Sequence, residues 1–231
     1  MNPDVYGAAL LDFYKTGQTE PLLLHNSYGE DEEMPMDLFF REEEDFPELE
    51  FIALSLCDGT VLDVGAGVGS HCLYLQNRGF DVTALEISTI ACEIMKDRGV
   101  KQVVNENIFH YQRKKFDTLL FLMNGIGLVE TTHGLKQLLA HCKRILKKGG
   151  QLLFDSSDIA YLYEGNIPAT GSYYGEVRFQ YEYKNQQGNP FGWLYIDQGT
   201  LIKIAQQDGW VVQILYEDEN DQYLVRLSLR D

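Results

Sequence analysis

The chain has 231 residues, of which 45% are apolar and 23% charged, and its formal net charge at pH 7 is −16. A chain of this length and composition can bury a large core in one domain, which excludes a wholly disordered protein. The negative charge argues against a nucleic-acid partner, because a phosphate backbone would be repelled. We interpret the basic runs at 113–115 and 143–148 as solvated helix ends or loops.

Three features predict a cytoplasmic protein that does not associate with membranes. The N-terminal stretch carries Asp4 and Asp12 and lacks a basic start, so we expect no signal peptide. The apolar run at 118–123 is far too short to span a membrane. The cysteines show no CxxC spacing, which favours reduced thiols; they are Cys57, Cys72, Cys92 and Cys142.

Residues 1–58 are predicted to form an N-terminal cap or lid on the rest of the chain. Residues 1–60 hold 15 of the 35 acidic residues but only 2 of the 19 basic ones. An amphipathic helix is predicted at 5–14, and Pro47 followed by two glutamates predicts another at 47–57. The Phe, Met and Leu content between them favours a packed segment over a disordered acidic tail.

Residues 59–158 alternate between strand and helix patterns. The predicted strands lie at 60–65, 80–88, 100–107, 116–124 and 151–158. The predicted helices lie at 71–79, 89–99 and 134–150. This alternation indicates parallel βαβ units in a doubly wound α/β sheet, which binds ligands at the carboxyl ends of its strands.

Residues 159–196 are predicted to be an insertion on the substrate side that contains a β-hairpin. Strict alternation predicts one strand at 177–184, and the second follows a turn at 191–196. Ten aromatic residues lie between positions 161 and 195: Tyr161, Tyr163, Tyr173, Tyr174, Phe179, Tyr181, Tyr183, Phe191, Trp193 and Tyr195. They would form either a wall of an acceptor pocket, suited to a flat ring or a cationic amine, or a hairpin that packs on the sheet or pairs two subunits in a homodimer.

The last segment, residues 197–231, departs from the βα rhythm. A helix is predicted at 197–209, and strands at 210–218 and 222–230 are predicted to close the chain as a hairpin.

The most informative motif is a glycine-rich turn between a strand and a helix, with Gly65, Gly67 and Gly69 at every second position. Glycines let the backbone pass close to a ligand, and the helix start beyond them offers free amides. A dinucleotide-binding loop needs Gly or Ala at the sixth position, where this chain has Ser70. The spacing therefore argues against a pyrophosphate cradle.

Two acids flank this turn. Asp63 precedes the first glycine by two residues, where its carboxylate can accept from loop amides and attract a cation. Glu86 closes the next predicted strand, 19 residues beyond Gly67, and an acid there can accept both ribose hydroxyls of an adenosine.

The combined pattern resembles that of class I S-adenosylmethionine-dependent methyltransferases, whose motif is acid-x-Gly-x-Gly-x-Gly followed by an acid that closes the next strand. The resemblance covers residues 50–158 and 197–230. It implies one domain with a mostly parallel seven-stranded sheet, an N-terminal helical cap and a β-hairpin insertion after strand five. It also implies S-adenosylmethionine as cofactor and S-adenosylhomocysteine as product. The cofactor-binding positions implied are Asp63, Gly65, Ala66, Gly67, Gly69, Glu86, Ile87, Asn107, Ile108 and Asn124.

The acceptor is predicted to be a small molecule methylated on nitrogen or oxygen. The sequence after the fourth strand of this fold lacks an Asn/Asp-Pro-Pro-Tyr/Phe motif, which argues against methylation of adenine or of glutamine amides. It also lacks a Pro-Cys nucleophile, which argues against methylation of cytosine C5. No metal-ligand cluster appears, which argues against a magnesium-dependent catechol methyltransferase. Candidate proton acceptors are His25, Tyr28, Asp155 and Tyr183. Candidate acceptor-binding residues are Tyr28, Phe40, Arg41 and Arg178.

Two other functions remain open from the sequence. One is a non-catalytic module that binds S-adenosylmethionine or a partner, since none of the candidate bases belongs to a catalytic motif. The other is an NAD-dependent oxidoreductase on the same layered fold, which Ser70 disfavours.

Overall fold

The structure is a computed structural model that describes residues 4–18, 20–163 and 171–230. The helices are α1 Val5–Thr16, α2 Glu48–Ser55, α3 Ser70–Asn77, α4 Thr89–Asp97, α5 Thr132–Ile145 and α6 Gln198–Gln207. The strands are β1 Leu22–Asn26, β2 Glu32–Met34, β3 Thr60–Val64, β4 Asp81–Glu86, β5 Val103–Asn105, β6 Phe116–Phe121, β7 Leu146–Ser157, β8 Glu176–Tyr183, β9 Gln186–Gln187, β10 Phe191–Leu194, β11 Trp210–Glu217 and β12 Gln222–Leu229. Short 3₁₀ turns occur at Met36–Phe39, Glu43–Asp45, Ile108–His110, Gly125–Val129 and Ala160–Tyr163.

The main sheet has seven strands in the order β11-β12-β7-β6-β3-β4-β5. The strands from β7 to β5 are parallel, whereas β12 pairs antiparallel with both of its neighbours. One face is covered by α5 and α6 and the other by α2, α3 and α4. The predicted α/β fold with a mostly parallel seven-stranded sheet is confirmed.

A second sheet covers the carboxyl-end side of the first, with the order β10-β8-β1-β2 and β9 attached to β8. The predicted hairpin is present as β8 and β10, with Phe179 opposite Phe191. The N-terminal cap, however, is helical only in part, because β1 and β2 join this hairpin as strands. The sequence prediction missed them because β1 pairs with a strand about 155 residues further along the chain, and pairing at that separation leaves no local pattern.

The predicted helix at 134–150 is shorter than expected. The helix α5 ends at Ile145, and β7 begins immediately at Leu146. The pairing of β7 with β6 shifts register between Phe116 and Thr118, and Gly149 in the same stretch has a φ of +77°. Gly149 and Gly150, which are the last residues of the predicted helix, instead lie at the irregular start of the strand β7.

Among the described residues, no helix is long and apolar enough to cross a membrane. The four cysteines are buried and free, as the reduced-thiol prediction requires.

Candidate functional site

The glycine loop lies at the carboxyl end of β3. Gly65, Gly67 and Gly69 have φ angles of +71°, +54° and +85°, in the left-handed region that glycine adopts without strain. The amides of Gly65 and Ala66 donate to the Leu85 carbonyl at 2.9 and 3.2 Å, which ties the loop to β4. A Cβ on Gly65 would meet no described atom within 4 Å, so the loop is open there.

Glu86 ends β4 and is 7% exposed. Its Oε2 accepts from the Gly67 amide at 3.0 Å, and its Oε1 accepts from the Ile87 and Ser88 amides at 2.8 and 2.9 Å. Burial raises the pKa of Glu86, and these three amides oppose that rise. A carboxylate has about four acceptor positions, so one position on Oε2 is left for a ligand hydroxyl.

Asp63 lies behind the loop, and 2% of the residue is exposed. Its Oδ2 accepts from the Cys72 thiol at 3.1 Å. We expected Asp63 to accept from loop amides, but the Gly67 amide donates to Glu86 instead. The reason is topological: alternation along β3 directs Asp63 to the sheet face that α3 covers, whereas Glu86 ends the neighbouring strand beside the turn.

A buried ion network lies next to Asp63. Glu50 on α2 accepts from Arg41 Nη2 through Oε1 at 2.6 Å and pairs with His71 Nε2 through Oε2 at 2.8 Å. Glu50 and His71 are 6% and 9% exposed. Burial alone would lower the pKa of His71, but the hydrogen bond to Glu50 and the charge of Asp63 raise it. The network links α2, the segment before it and the first turn of α3.

The other predicted cofactor positions lie at the carboxyl ends of β4, β5 and β6. The Ile87 side chain is 71% exposed immediately after Glu86. Asn107 is exposed and its side chain accepts from a backbone amide at 2.9 Å, whereas Ile108 is buried in the core. Asn124 has a φ of +54° and begins the turn after β6.

The N-terminal helix lies over the glycine loop. The Tyr6 hydroxyl would be 3.5 Å and a Phe39 ring carbon 3.8 Å from a Cβ on Gly67. Asp4, the N-cap of α1, accepts from the Ser88 hydroxyl at 2.6 Å. The start of α1 is therefore fixed directly to the residues that follow Glu86.

Phenols continue from this lid along the inner face of the second sheet. We call the region that they border the cleft; the phenols are Tyr6, Tyr28, Tyr181 and Tyr195. Tyr6 stacks on Tyr181 with ring centroids 5.6 Å apart. The Tyr28 hydroxyl donates to Glu32 Oε1 at 2.8 Å. Burial, together with the charges of Glu32, Tyr161 and Asp155, raises the pKa of Tyr195 to about 12.

Asp155 is the predicted candidate base that lies deepest in this region. It is fully buried at the end of β7, and its Oδ2 accepts from the Asn124 amide at 2.8 Å and from Gln222 at 2.9 Å. Its Oδ1 has no hydrogen-bond partner among the described residues. Burial raises the pKa of Asp155 to about 6.

Two other candidate bases are engaged elsewhere. His25 lies on the outer face of the second sheet, where it pairs with Asp31 at 2.9 Å and with Glu182 at 3.1 Å. The Tyr183 hydroxyl donates to Asp12 on α1 at 2.8 Å, and its ring packs in the core under α1. The structure does not bring either residue to the cleft.

Three candidate acceptor-binding residues are also placed outside the cleft. Phe40 packs on Phe13, with ring centroids 5.1 Å apart, under the guanidinium of Arg98. Arg41 pairs with Glu50 in the buried network. Arg178 is exposed on β8, on the face opposite to its buried neighbours.

Sequence reasoning missed Tyr6 and Glu32 as residues of the cleft. Tyr6 looked like one more aromatic residue in an amphipathic helix, and Glu32 like one of many acids in a charged stretch. The alternation of β8 places Tyr181 on an apolar face, and this signal could be read from the sequence. The pairing of β2 with β1, which places Glu32, left no such signal.

Comparison with known proteins agrees with this geometry. The family model described as a methyltransferase domain matches residues 62–154. A solved S-adenosylmethionine-dependent methyltransferase from Bacteroides fragilis, in complex with S-adenosyl-L-homocysteine, is 39% identical, with a TM-score of 0.90 over 98% of this chain and 94% of that one.

Two curated relatives are more distant. Glycine/sarcosine N-methyltransferase from Aphanothece halophytica is 20% identical over 71% of this chain and 70% of its own length. A 23S rRNA (uracil(747)-C(5))-methyltransferase from Pyrococcus horikoshii is 33% identical, but the match spans only 42% of this chain and 23% of that enzyme.

The fold and the loop define a Rossmann-like methyltransferase. The chain belongs to the class I S-adenosylmethionine-dependent methyltransferases, and its cofactor is S-adenosylmethionine.

Proposed function

We propose that this methyltransferase acts on a small-molecule acceptor held in the cleft between its two sheets. The observation that carries the proposal is the bond from the Gly67 amide to Glu86, because it joins two adjacent strand ends directly beside a phenol-lined cleft. The relationship to a glycine/sarcosine N-methyltransferase over most of both chains supports a small acceptor.

The proposed cofactor site follows the edge formed by β3, β4, β5 and β6. Glu86 accepts a ribose hydroxyl through the free position on Oε2, while Ile87 and Ile108 border the adenine and Asn107 binds its amino group. The backbone of the loop and of Asn124 lies along the methionyl part, and Asp63 supports the loop from behind. The positive φ angles and the open space at Gly65 fit a bound cofactor. The loop positions are Gly65, Ala66, Gly67 and Gly69.

The cofactor supplies an electrophilic methyl group when bound. The protein must align the acceptor opposite the sulfur, at about 3 Å from the methyl carbon, and keep water out. Tyr6 and Phe39 cover the glycine loop and would help to keep water out. The acceptor's proton needs a base, and the carboxylates and phenols of the cleft are the groups available.

We also propose that the whole chain acts as one domain in the cytoplasm, without a nucleic-acid partner. The inner face of the second sheet packs on this chain's own α1 and on Ala160–Tyr163. A homodimer through the aromatic hairpin would therefore use the outer face of this sheet.

Calorimetric titration with S-adenosylmethionine, S-adenosylhomocysteine and NAD in parallel tests the cofactor site. We expect binding of the first two, weakened in Glu86→Gln by about 1.5–3 kcal/mol, since a hydrogen bond to a charged group is lost. Glu93→Gln, an exposed position on α4, is the control. Unchanged affinity in a folded Glu86→Gln protein removes Glu86 from the site, and binding of NAD alone would favour the oxidoreductase.

Incubation of the protein with a metabolite extract and deuteromethyl-labelled cofactor tests catalysis. We expect a labelled product of low molecular mass. Cofactor binding without any labelled product would favour the non-catalytic module.

A further inference from the structure

The inner face of the second sheet carries one acid among aromatic and apolar residues. Cross-strand partners share a face. Tyr181 on β8 is opposite Leu24 on β1, and Leu24 is opposite Glu32 on β2. Since Tyr181 stacks on Tyr6 over the glycine loop, Glu32 lies on the cleft side of the sheet. The adjacent Glu33 is opposite Leu23 and so lies on the outer face.

Glu32 is held by neutral donors. Its Oε1 accepts from the Tyr28 hydroxyl at 2.8 Å and from Asn26 Nδ2 at 3.2 Å. Glu32 makes no salt bridge with a described residue. Its negative charge is therefore available to a ligand.

A second carboxylate, that of Asp155, lies close to the segment that carries Tyr195. The Ile196 amide donates to the Ser156 hydroxyl at 3.1 Å, which brings Tyr195 beside the end of β7 and Asp155. Asp155 is completely buried, and its Oδ1 lacks a partner among the described residues. An ionised buried oxygen without a donor is costly, and a cation in the cleft would offset that cost.

We propose that the acceptor is a cationic amine, bound with its ammonium group on Glu32 among the Tyr28, Tyr181 and Tyr195 rings. This inference rests on the proposed function and names its substrate class. Aromatic faces and a carboxylate both attract an ammonium group, and Glu32 is exposed and so within reach of a ligand. An anionic acceptor is disfavoured because neither arginine among the candidate acceptor-binding residues lies near Glu32. Arg41 pairs with Glu50, and Arg178 is on the outer face of the second sheet.

Methyl transfer to this ammonium group requires that the group first lose a proton. The ammonium group gives one proton to the Glu32 carboxylate and becomes a neutral amine. Its lone pair attacks the methyl carbon, so a carbon–nitrogen bond forms as the carbon–sulfur bond breaks. The bonding pair goes to the sulfur, whose positive charge is lost, and the charge passes to the methylated nitrogen. Glu32 then returns its proton to solvent.

Binding to the full chain saturated with S-adenosylhomocysteine tests this assignment. The probes share one shape and differ in charge: 2-phenylethylamine, 2-phenylethanol and phenylacetate. We expect the amine to bind most tightly. We expect Glu32→Gln to weaken the amine by about tenfold or more, because a charge-assisted bond is lost. The matched control Glu33→Gln makes the same charge change on the outer face and should leave amine affinity unchanged.

Each outcome decides the proposal. Equal or tighter binding of the alcohol or the anion overturns it, as does absence of amine binding at millimolar concentration. If Glu32→Gln and Glu33→Gln weaken amine binding equally, the effect comes only from the net charge of the protein, and this outcome also overturns the proposal. Loss of S-adenosylhomocysteine binding would instead contradict the proposed cofactor site. In the labelled extract, an N-methylated amine supports the assignment, and an O-methylated product overturns it.

Discussion

The two sheets of this methyltransferase differ in how the residues that we propose as functional are fixed. In the main sheet, Glu86 and the glycines occupy the ends of strands that are neighbours in a parallel βα series, and backbone amides hold the carboxylate. In the second sheet, Glu32 and Tyr181 lie on the same face, on either side of Leu24, because the N-terminal segment pairs with a hairpin far along the chain. The first arrangement is local and buried, and the second depends on packing between distant segments. We therefore expect substitutions to cost most stability in the first and to affect acceptor recognition more than folding in the second.

The largest expected effect is at Gly69. An alanine there would have to keep the positive φ of Gly69, and its Cβ would lie 2.8 Å from Val100 and 3.0 Å from Met95. We expect Gly69→Ala to lower the free energy of unfolding by about 3 kcal/mol, as strain and overpacking add. Denaturant titration without cofactor measures it. Gly65→Ala, with similar φ but open space, should cost about 1–2 kcal/mol; equal losses would show that the contacts with Val100 and Met95 do not matter.

The next effect concerns His71 and its dependence on pH. We expect His71→Leu to cost about 2 kcal/mol near pH 6, since a buried bond to a charged group is lost. The folded-state pKa of His71 is raised above that of the unfolded chain. Its stabilisation is thus fully present below about pH 6.5 and disappears as the pH rises through the folded value. Melting curves from pH 6 to 9 should show wild type losing stability that His71→Leu does not lose. His110→Leu, at an exposed position, is the control. Parallel dependence of the melting temperature on pH for wild type and His71→Leu would refute the charged pair of His71 with Glu50.

Asp4 tests the connection between the two regions. It caps α1 through the Gly7 amide at 2.8 Å and accepts from Ser88 at 2.6 Å. Asp4→Ala should cost about 1 kcal/mol, in the range for N-caps. Hydrogen exchange should show faster opening of α1 with little change in β3 and β4. Asp4→Asn keeps the oxygen that accepts from Gly7 but puts an amide nitrogen in place of the oxygen that accepts from Ser88, so it should restore protection only in part. Uniform destabilisation of both regions would mean that they unfold as one unit.

The smallest effect is expected at His25. Its pairs with Asp31 and Glu182 are on the outer face, and exposed ion pairs contribute little. His25→Gln should change the free energy of unfolding by less than about 0.5 kcal/mol and leave the methyl-transfer rate unchanged. A large fall in rate with intact cofactor binding would return His25 to the list of bases.

The accuracy of the sequence predictions followed the same division. The strand at 60–65 and the helix at 89–99 were found within about two residues, because apolar runs and glycine stops mark them locally. Glu86 could be singled out because its spacing from the loop is fixed by one βαβ unit. His25, Tyr183 and Arg178 were chosen by residue type alone, and their positions depend on the pairing of β1 with β8, which a single sequence does not reveal.

The sequence by itself determined the parallel sheet, the glycine turn and the acid after the next strand, since alternating periodicity and short connections leave few other arrangements. Only the tertiary structure decided that the N-terminal segment supplies two strands. It also decided that Arg41 is used in a buried ion network and that Glu32 shares a sheet face with Tyr181. These contacts join residues far apart in the chain, and their stability comes from surfaces that exist only after the main sheet has folded.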